Sequence, residues 1–211
     1  MRRILPICSL LAITGLLALP GTSGAAAVTF GSLGTSASTA ETDPVDTAFW
    51  LTAQPAGATT VPVRGLVKTV QLRGCAQAGP KGQKPLREIH FQTLVPRPNG
   101  SVRVKVTSQG FKAPVCQGAG PATQVSAYHP FYMCAKAGDY IGFSDSGGFA
   151  PGFPGGVSYE FFAPTTGFNT DSFTGAGRDN NGDAFTGTAQ MGVQLLMQVT
   201  IVTGKRAGPC K

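Results

Sequence analysis

The sequence predicts an all-β protein, an antiparallel two-sheet sandwich of jelly-roll-like arrangement. Three observations predict it. The 211-residue chain holds 29 glycines and 16 prolines, with only 13% charged residues. That composition disfavours long helices and suits short strands joined by tight turns. Period-two alternation of apolar and polar residues recurs along the chain. No stretch carries a helical period beyond a short turn near 186–191. An immunoglobulin-like sandwich is the alternative fold. Its Cys–Trp–Cys order is missing, because Trp50 precedes Cys75, Cys116, Cys134 and Cys210.

The elements follow in order. Arg2 and Arg3, an apolar run from Ile4 to Pro20 and the small residues Ala25, Ala26 and Ala27 read as a secretory signal peptide over 1–27. Cleavage after Ala27 predicts a secreted, extracellular protein. Later apolar runs are too short for the ~18–20 residues of a helical span, so no transmembrane anchor is expected. Residues 28–46 are rich in Ser, Thr, Ala and Gly and read as a flexible leader. A single sandwich domain is expected over 47–211. Its strand signals lie at 48–53, 62–73, 88–94, 101–107, 111–116, 124–134, 139–143, 157–162 and 193–202. In 101–107, Val102, Val104 and Val106 share one face, with Arg103 and Lys105 on the other. In 193–202, Val193, Leu195, Met197, Val199 and Ile201 oppose Gln194, Gln198 and Thr200. Closing the sandwich would bring the 62–73 strand beside 193–202. Turns are marked by Pro98-Asn99-Gly100, Ala137-Gly138-Asp139 and Asn180-Asn181-Gly182-Asp183.

Four cysteines remain after cleavage, and an even number in an exported chain predicts two disulfides. Three pairings of Cys75, Cys116, Cys134 and Cys210 are open. Loss of Arg2 and Arg3 with the signal peptide lowers the formal charge from +7 to +5. The remaining basic residues are scattered, without the dense cluster that nucleic-acid binding uses.

Several groups invite chemistry. Asp145-Ser146-Gly147-Gly148 resembles the stretch around the nucleophile of chymotrypsin-like serine proteases. The resemblance implies Ser146 as nucleophile, with His90 or His129 as base. Family members carry a glycine before the aspartate, where Ser144 stands, and a histidine followed by cysteine. Here Phe91 follows His90 and Pro130 follows His129. Asp179, Asn181 and Asp183 alternate as oxygen ligands of a calcium ion would, although an Asn-Gly hairpin turn explains them equally. Residues 140–173 are dense in aromatic rings interleaved with glycine. Phe149, Phe153, Tyr159 and Phe168 are the candidate platform there for stacking on sugar rings, against a packing role in the core.

The segment Val70-Gln71-Leu72-Arg73-Gly74-Cys75, the strand at 101–107, and Cys134 with Gly138-Asp139-Tyr140-Ile141-Gly142-Phe143 are similar to a group of uncharacterised exported proteins of high-GC actinobacteria. The similarity covers most of 48–210. It implies an exported β-sandwich and carries no activity or site residue with it. The expected function is a non-enzymatic binding module for cell-surface or environmental polysaccharide, with no cofactor expected and calcium at Asp179, Asn181 and Asp183 as the alternative to a turn. A secreted hydrolase using Ser146 and a structural envelope protein are the alternatives.

Overall fold

In the computed structural model the described residues are 26–41, 47–77, 88–117, 121–146, 159–175 and 180–210. Of the signal peptide expected over 1–27, residues 1–25 lie outside them, while Ala26 and Ala27 are described and Ala27 opens the first strand. Their strands, numbered in chain order, form two antiparallel sheets packed as a sandwich. The small sheet contains β1 (Ala27–Ser32), β4 (Gly65–Arg73), β9 (Val125–Tyr128), β10 (Cys134–Ala135) and β15 (Met197–Val202). Its order is β1-β15-β4, with β9 and β10 both alongside β4. The large sheet follows the order β13-β7-β6-β11-β3-β12-β14. These are β13 (Ala184–Phe185), β7 (Val102–Thr107), β6 (Glu88–Pro96), β11 (Tyr140–Ser146), β3 (Thr47–Ala53), β12 (Tyr159–Thr174) and β14 (Thr188–Leu195). The short β2 (Thr39–Glu41) and β5 (Cys75–Ala76) pair with β12, and β8 (Phe111–Lys112) pairs with β6.

The expected pairing of the 62–73 and 193–202 segments is present, since β4 runs antiparallel to β15 from Leu72↔Met197 to Leu66↔Val202. The alternation at 193–202 conceals a change of sheet. Leu196 separates β14, in the large sheet, from β15, in the small one. Its N–H donates to the Phe161 carbonyl, and its own carbonyl accepts from Arg73 N–H. The inward face stays inward through this corner, so the period never breaks. Gly74, at φ 135°, is the matching corner between β4 and β5. Corners of this kind are made where strands change sheets. The Cys75–Cys116 disulfide closes this corner, while Cys134–Cys210 ties β10 to the 3-10 segment Gly204–Cys210.

Two expectations are corrected. Within the leader expected over 28–46, the described residues 28–41 are not loose: β1 pairs with β15 along its whole length, and Ala37 bridges Ala122. The signal was weak because β1 is short and glycine-interrupted, and its partner lies at the far end of the chain. Residues 188–191 extend β14 and form no helical turn.

Between the sheets lies the main core, with Phe49, Phe91, Phe143, Phe161, Phe162 and Leu72 among its fully buried side chains. Each such side chain stabilises the fold by roughly 1.5–3 kcal/mol relative to exposure. The large sheet has a second core on its opposite face. Ala48 and Trp50 flank Phe49 in β3 and so point the other way, where they meet Leu94, Val102, Val104 and Phe185. Only Thr186 and Gly187 separate β13, at one end of the strand order, from β14 at the other. Two residues span little, so the sheet must curl until its ends nearly meet. Phe185 then packs 5.7 Å from Trp50 and stacks on Phe173 at 4.4 Å. Gly187 has no room for a side chain, since a Cβ there would lie 2.5 Å from the Trp50 ring.

Candidate functional site

The small sheet has one buried face and one open face. The register Phe30↔Val199↔Val70↔Tyr128 gives a row of four side chains that all point into the core and are buried. Alternation therefore sends the neighbouring rows outward. One row is Thr29↔Thr200↔Thr69, and the next is Gly31↔Gln198↔Gln71↔Ala127. The Thr29 and Thr200 hydroxyls share a hydrogen bond at 3.1 Å. His129 Nδ1 extends the threonine row, 3.4 Å from Thr69 Oγ1. Four adjacent strands spaced about 4.8 Å apart give a face roughly 14 Å across, tiled with hydroxyls and amides.

The face ends at an aromatic turn. Residues 129–133 link β9 to β10 along the outer side of β4. Gln109 clamps this turn from both sides: its Nε2 donates to the His129 carbonyl at 3.1 Å, and its Oε1 accepts from Phe131 N–H at 3.0 Å. Phe131 and Tyr132 are 70% and 77% exposed. Tyr132 has φ 53°, and it is the one non-glycine residue with positive φ among the described residues. That conformation costs about 1–2 kcal/mol in an L-residue. The turn thus holds two rings in water at a conformational cost, beside a flat polar face. Flat rings with adjacent amides and hydroxyls suit the faces and hydroxyls of a sugar chain.

The residues singled out from sequence are placed differently. Phe149 and Phe153 lie outside the described residues, as does the side chain of Tyr159. Phe168 is half-buried in β12. Phe143, Phe161 and Phe162, from the same aromatic-dense stretch, are core residues. Tyr140 and Phe173 pack on the second core. Burial, and secondarily the Asp171 charge, raises the Tyr140 hydroxyl above its ordinary pKa of 10.0. Burial likewise raises that of Tyr128.

Register places Ser146 opposite Glu88, and Ser144 opposite His90. Ser146, Glu88 and His90 thus fall on one face of adjacent strands, while His129 belongs to the small-sheet side. The Ser146 side chain lies outside the described residues. His90 Nδ1 is 2.9 Å from the Ser108 carbonyl oxygen, and Nε2 is 3.3 Å from Glu88 Oε1. A triad needs one ring nitrogen on the nucleophile and the other on a carboxylate. Here Nε2 does face a carboxylate, that of Glu88, but Nδ1, the nitrogen left for a nucleophile, faces the Ser108 carbonyl. Asp145 points to the opposite face, is buried, and accepts from Thr47 N–H at 2.9 Å.

Asp179 lies outside the described residues. Asn181 Oδ1 accepts from Thr107 N–H at 2.8 Å, and Asp183 Oδ2 from Asn180 N–H at 3.0 Å. The carboxamide thereby fastens the loop onto β7, and the carboxylate closes the loop on itself. Among the described residues no three His, Cys, Asp or Glu side chains group as metal ligands, and no helix is long and apolar enough to cross a membrane.

Sequence reasoning had half of this face, because the outward positions of Gln198 and Thr200 follow from alternation. It missed Phe131 and Tyr132. The available signal was Pro130, which ends the ladder and leaves the following rings without a sheet to cover them. No family model, curated protein or solved structure matches this chain.

Proposed function

We propose that this protein is an exported, non-enzymatic module that binds polysaccharide of the cell surface or environment across the open face of its small sheet. The observation that carries this reading is the pairing of a flat Thr/Gln face with two exposed rings on a clamped turn. Phe131 and Tyr132 are the exposed rings beside this face, and they are the platform of this reading. Two disulfides suit an oxidising compartment outside the cell. Affinity electrophoresis in gels containing polysaccharide tests the reading. Retardation of the wild type should be lost in Phe131→Ala/Tyr132→Ala and in Gln71→Ala/Gln198→Ala, with melting temperatures nearly unchanged. Retardation that persists in both variants refutes it.

A second reading, hydrolysis by Ser146, is favoured by the register that sets Ser146, Glu88 and His90 on adjacent strands. Fluorophosphonate labelling of folded protein at Ser146, abolished by His90→Ala, would support it. Absence of labelling removes it.

A further inference from the structure

We infer that the polysaccharide bound on the small-sheet face is polyanionic, a chain bearing carboxylate, phosphate or sulfate groups; this rests on the binding face proposed above. The ground is a segregation of charge between the sheets. The chain has 10 acidic residues, and none falls in β1, β4, β9, β10, β15 or Gly204–Cys210. Glu41, Glu88, Asp145, Glu160 and Asp171 belong to strands of the large sheet. Asp139 is buried in the turn before β11, where it accepts from Lys136 N–H at 2.8 Å and faces Lys105 Nζ at 3.4 Å. The same small-sheet elements carry Lys68, Arg73, Lys205 and Arg206.

These cations flank the neutral rows at both ends. Lys68 is the extra residue of a bulge in β4, between Val67 and Thr69 in the pairing with β15. It is exposed, and the inner face of β4 is core, so its ammonium stands on the open side. Lys205 and Arg206 follow β15 at the same end and are exposed. Arg73 lies at the opposite end, where its guanidinium donates to the Leu33 carbonyl at 3.0 Å and the Thr123 carbonyl at 2.7 Å. Lys68 and Arg73 are five residue steps apart along the strand, roughly 16 Å. Hydroxyls and amides between two cationic ends match a chain whose sugar hydroxyls cross the middle and whose anionic groups reach the ends. Among the described residues every acid lies elsewhere, so the uncompensated cations at the two ends of this face favour the approach of such a polymer.

Isothermal titration with polygalacturonate and, separately, neutral dextran and xylan tests the inference on the full mature chain. Polygalacturonate should bind at least about tenfold tighter than either neutral chain in about 0.1 M NaCl, a medium with a screening length of roughly 10 Å. Its affinity should fall steeply toward about 1 M NaCl, where that length is roughly 3 Å. Lys68→Gln/Lys205→Gln/Arg206→Gln should weaken it at least about tenfold with an unchanged melting curve. Tighter or equal binding of a neutral chain that is lost in Gln71→Ala/Gln198→Ala overturns the polyanion and keeps the face. Binding of double-stranded DNA as tight as that of polygalacturonate overturns the assignment to a glycan. Failure of all three polysaccharides to bind overturns the face together with the inference.

Discussion

The two sheets of this protein solve the problem of their second face in opposite ways. The large sheet curls round Trp50, Phe173 and Phe185, so both of its faces are packed. The small sheet packs Phe30, Val70 and Val199 inward and leaves Thr29, Thr69, Gln71, Gln198 and Thr200 toward water. The difference separates the packed part of the molecule from its open surface. The large sheet holds the buried aromatic mass, and the small sheet supplies a rigid open surface free of acidic residues.

Substitutions should separate the sheets sharply. Phe49→Ala removes a ring packed 4.9 Å from Phe162 and should cost about 3–5 kcal/mol. Gln71→Ala, on the open face, should stay within about 0.5 kcal/mol. Urea unfolding of the two variants measures both. Comparable losses would mean that the open face is also part of the core.

Much of this contrast was legible in the sequence. Val102, Val104 and Val106 against Arg103 and Lys105 gave a strand, although a bulge at Lys105 sends Val106 to the main core while Val102 and Val104 pack in the second, and the alternation over 193–202 gave an inward and an outward face. The curl of the large sheet was not legible. It depends on Thr186-Gly187 joining distant strand ends, and the order of strands leaves no local period. The sheet change at Leu196 was hidden for the opposite reason, since the local period survives it. Tyr132 was missed because an exposed ring and a buried one look alike until the surrounding backbone is known. The cysteine count gave two bridges, and their partners came only from the fold.

The disulfides come next in size. Cys75→Ser/Cys116→Ser opens a link over a sequence separation of 41, and Cys134→Ser/Cys210→Ser one of 76. Each should cost about 4 kcal/mol in thermal or denaturant unfolding, with the longer link costing slightly more. Losses near zero would mean that packing alone holds the corners.

The second core can be probed more gently. Trp50 is the chain's single tryptophan, so its fluorescence reports that core alone. Gly187→Ala must displace the ring and should cost roughly 1–3 kcal/mol, with emission shifted to the red. Unchanged emission would place the 185–187 segment away from Trp50.

The smallest effect is at alkaline pH. The Tyr140 and Tyr128 hydroxyls have pKa values raised above 10.0 in the folded chain. Their neutral forms are favoured by folding, so this contribution is complete below pH 10 and is lost as pH rises through the raised values. Thermal melts of the wild type should therefore fall more steeply above pH 10 than those of Tyr140→Phe/Tyr128→Phe. Parallel curves would remove the two hydroxyls from the alkaline transition.

The sharpest comparison of the two sheets is an amide NMR titration with polygalacturonate. Shifts are predicted to cluster at Thr29, Thr69, Gln71, Gln198, Thr200 and Tyr132, with β6 and β11 undisturbed. Shifts concentrated at Glu88, His90 and Ser144, with the small-sheet residues unmoved, would contradict the assignment of binding to the open face.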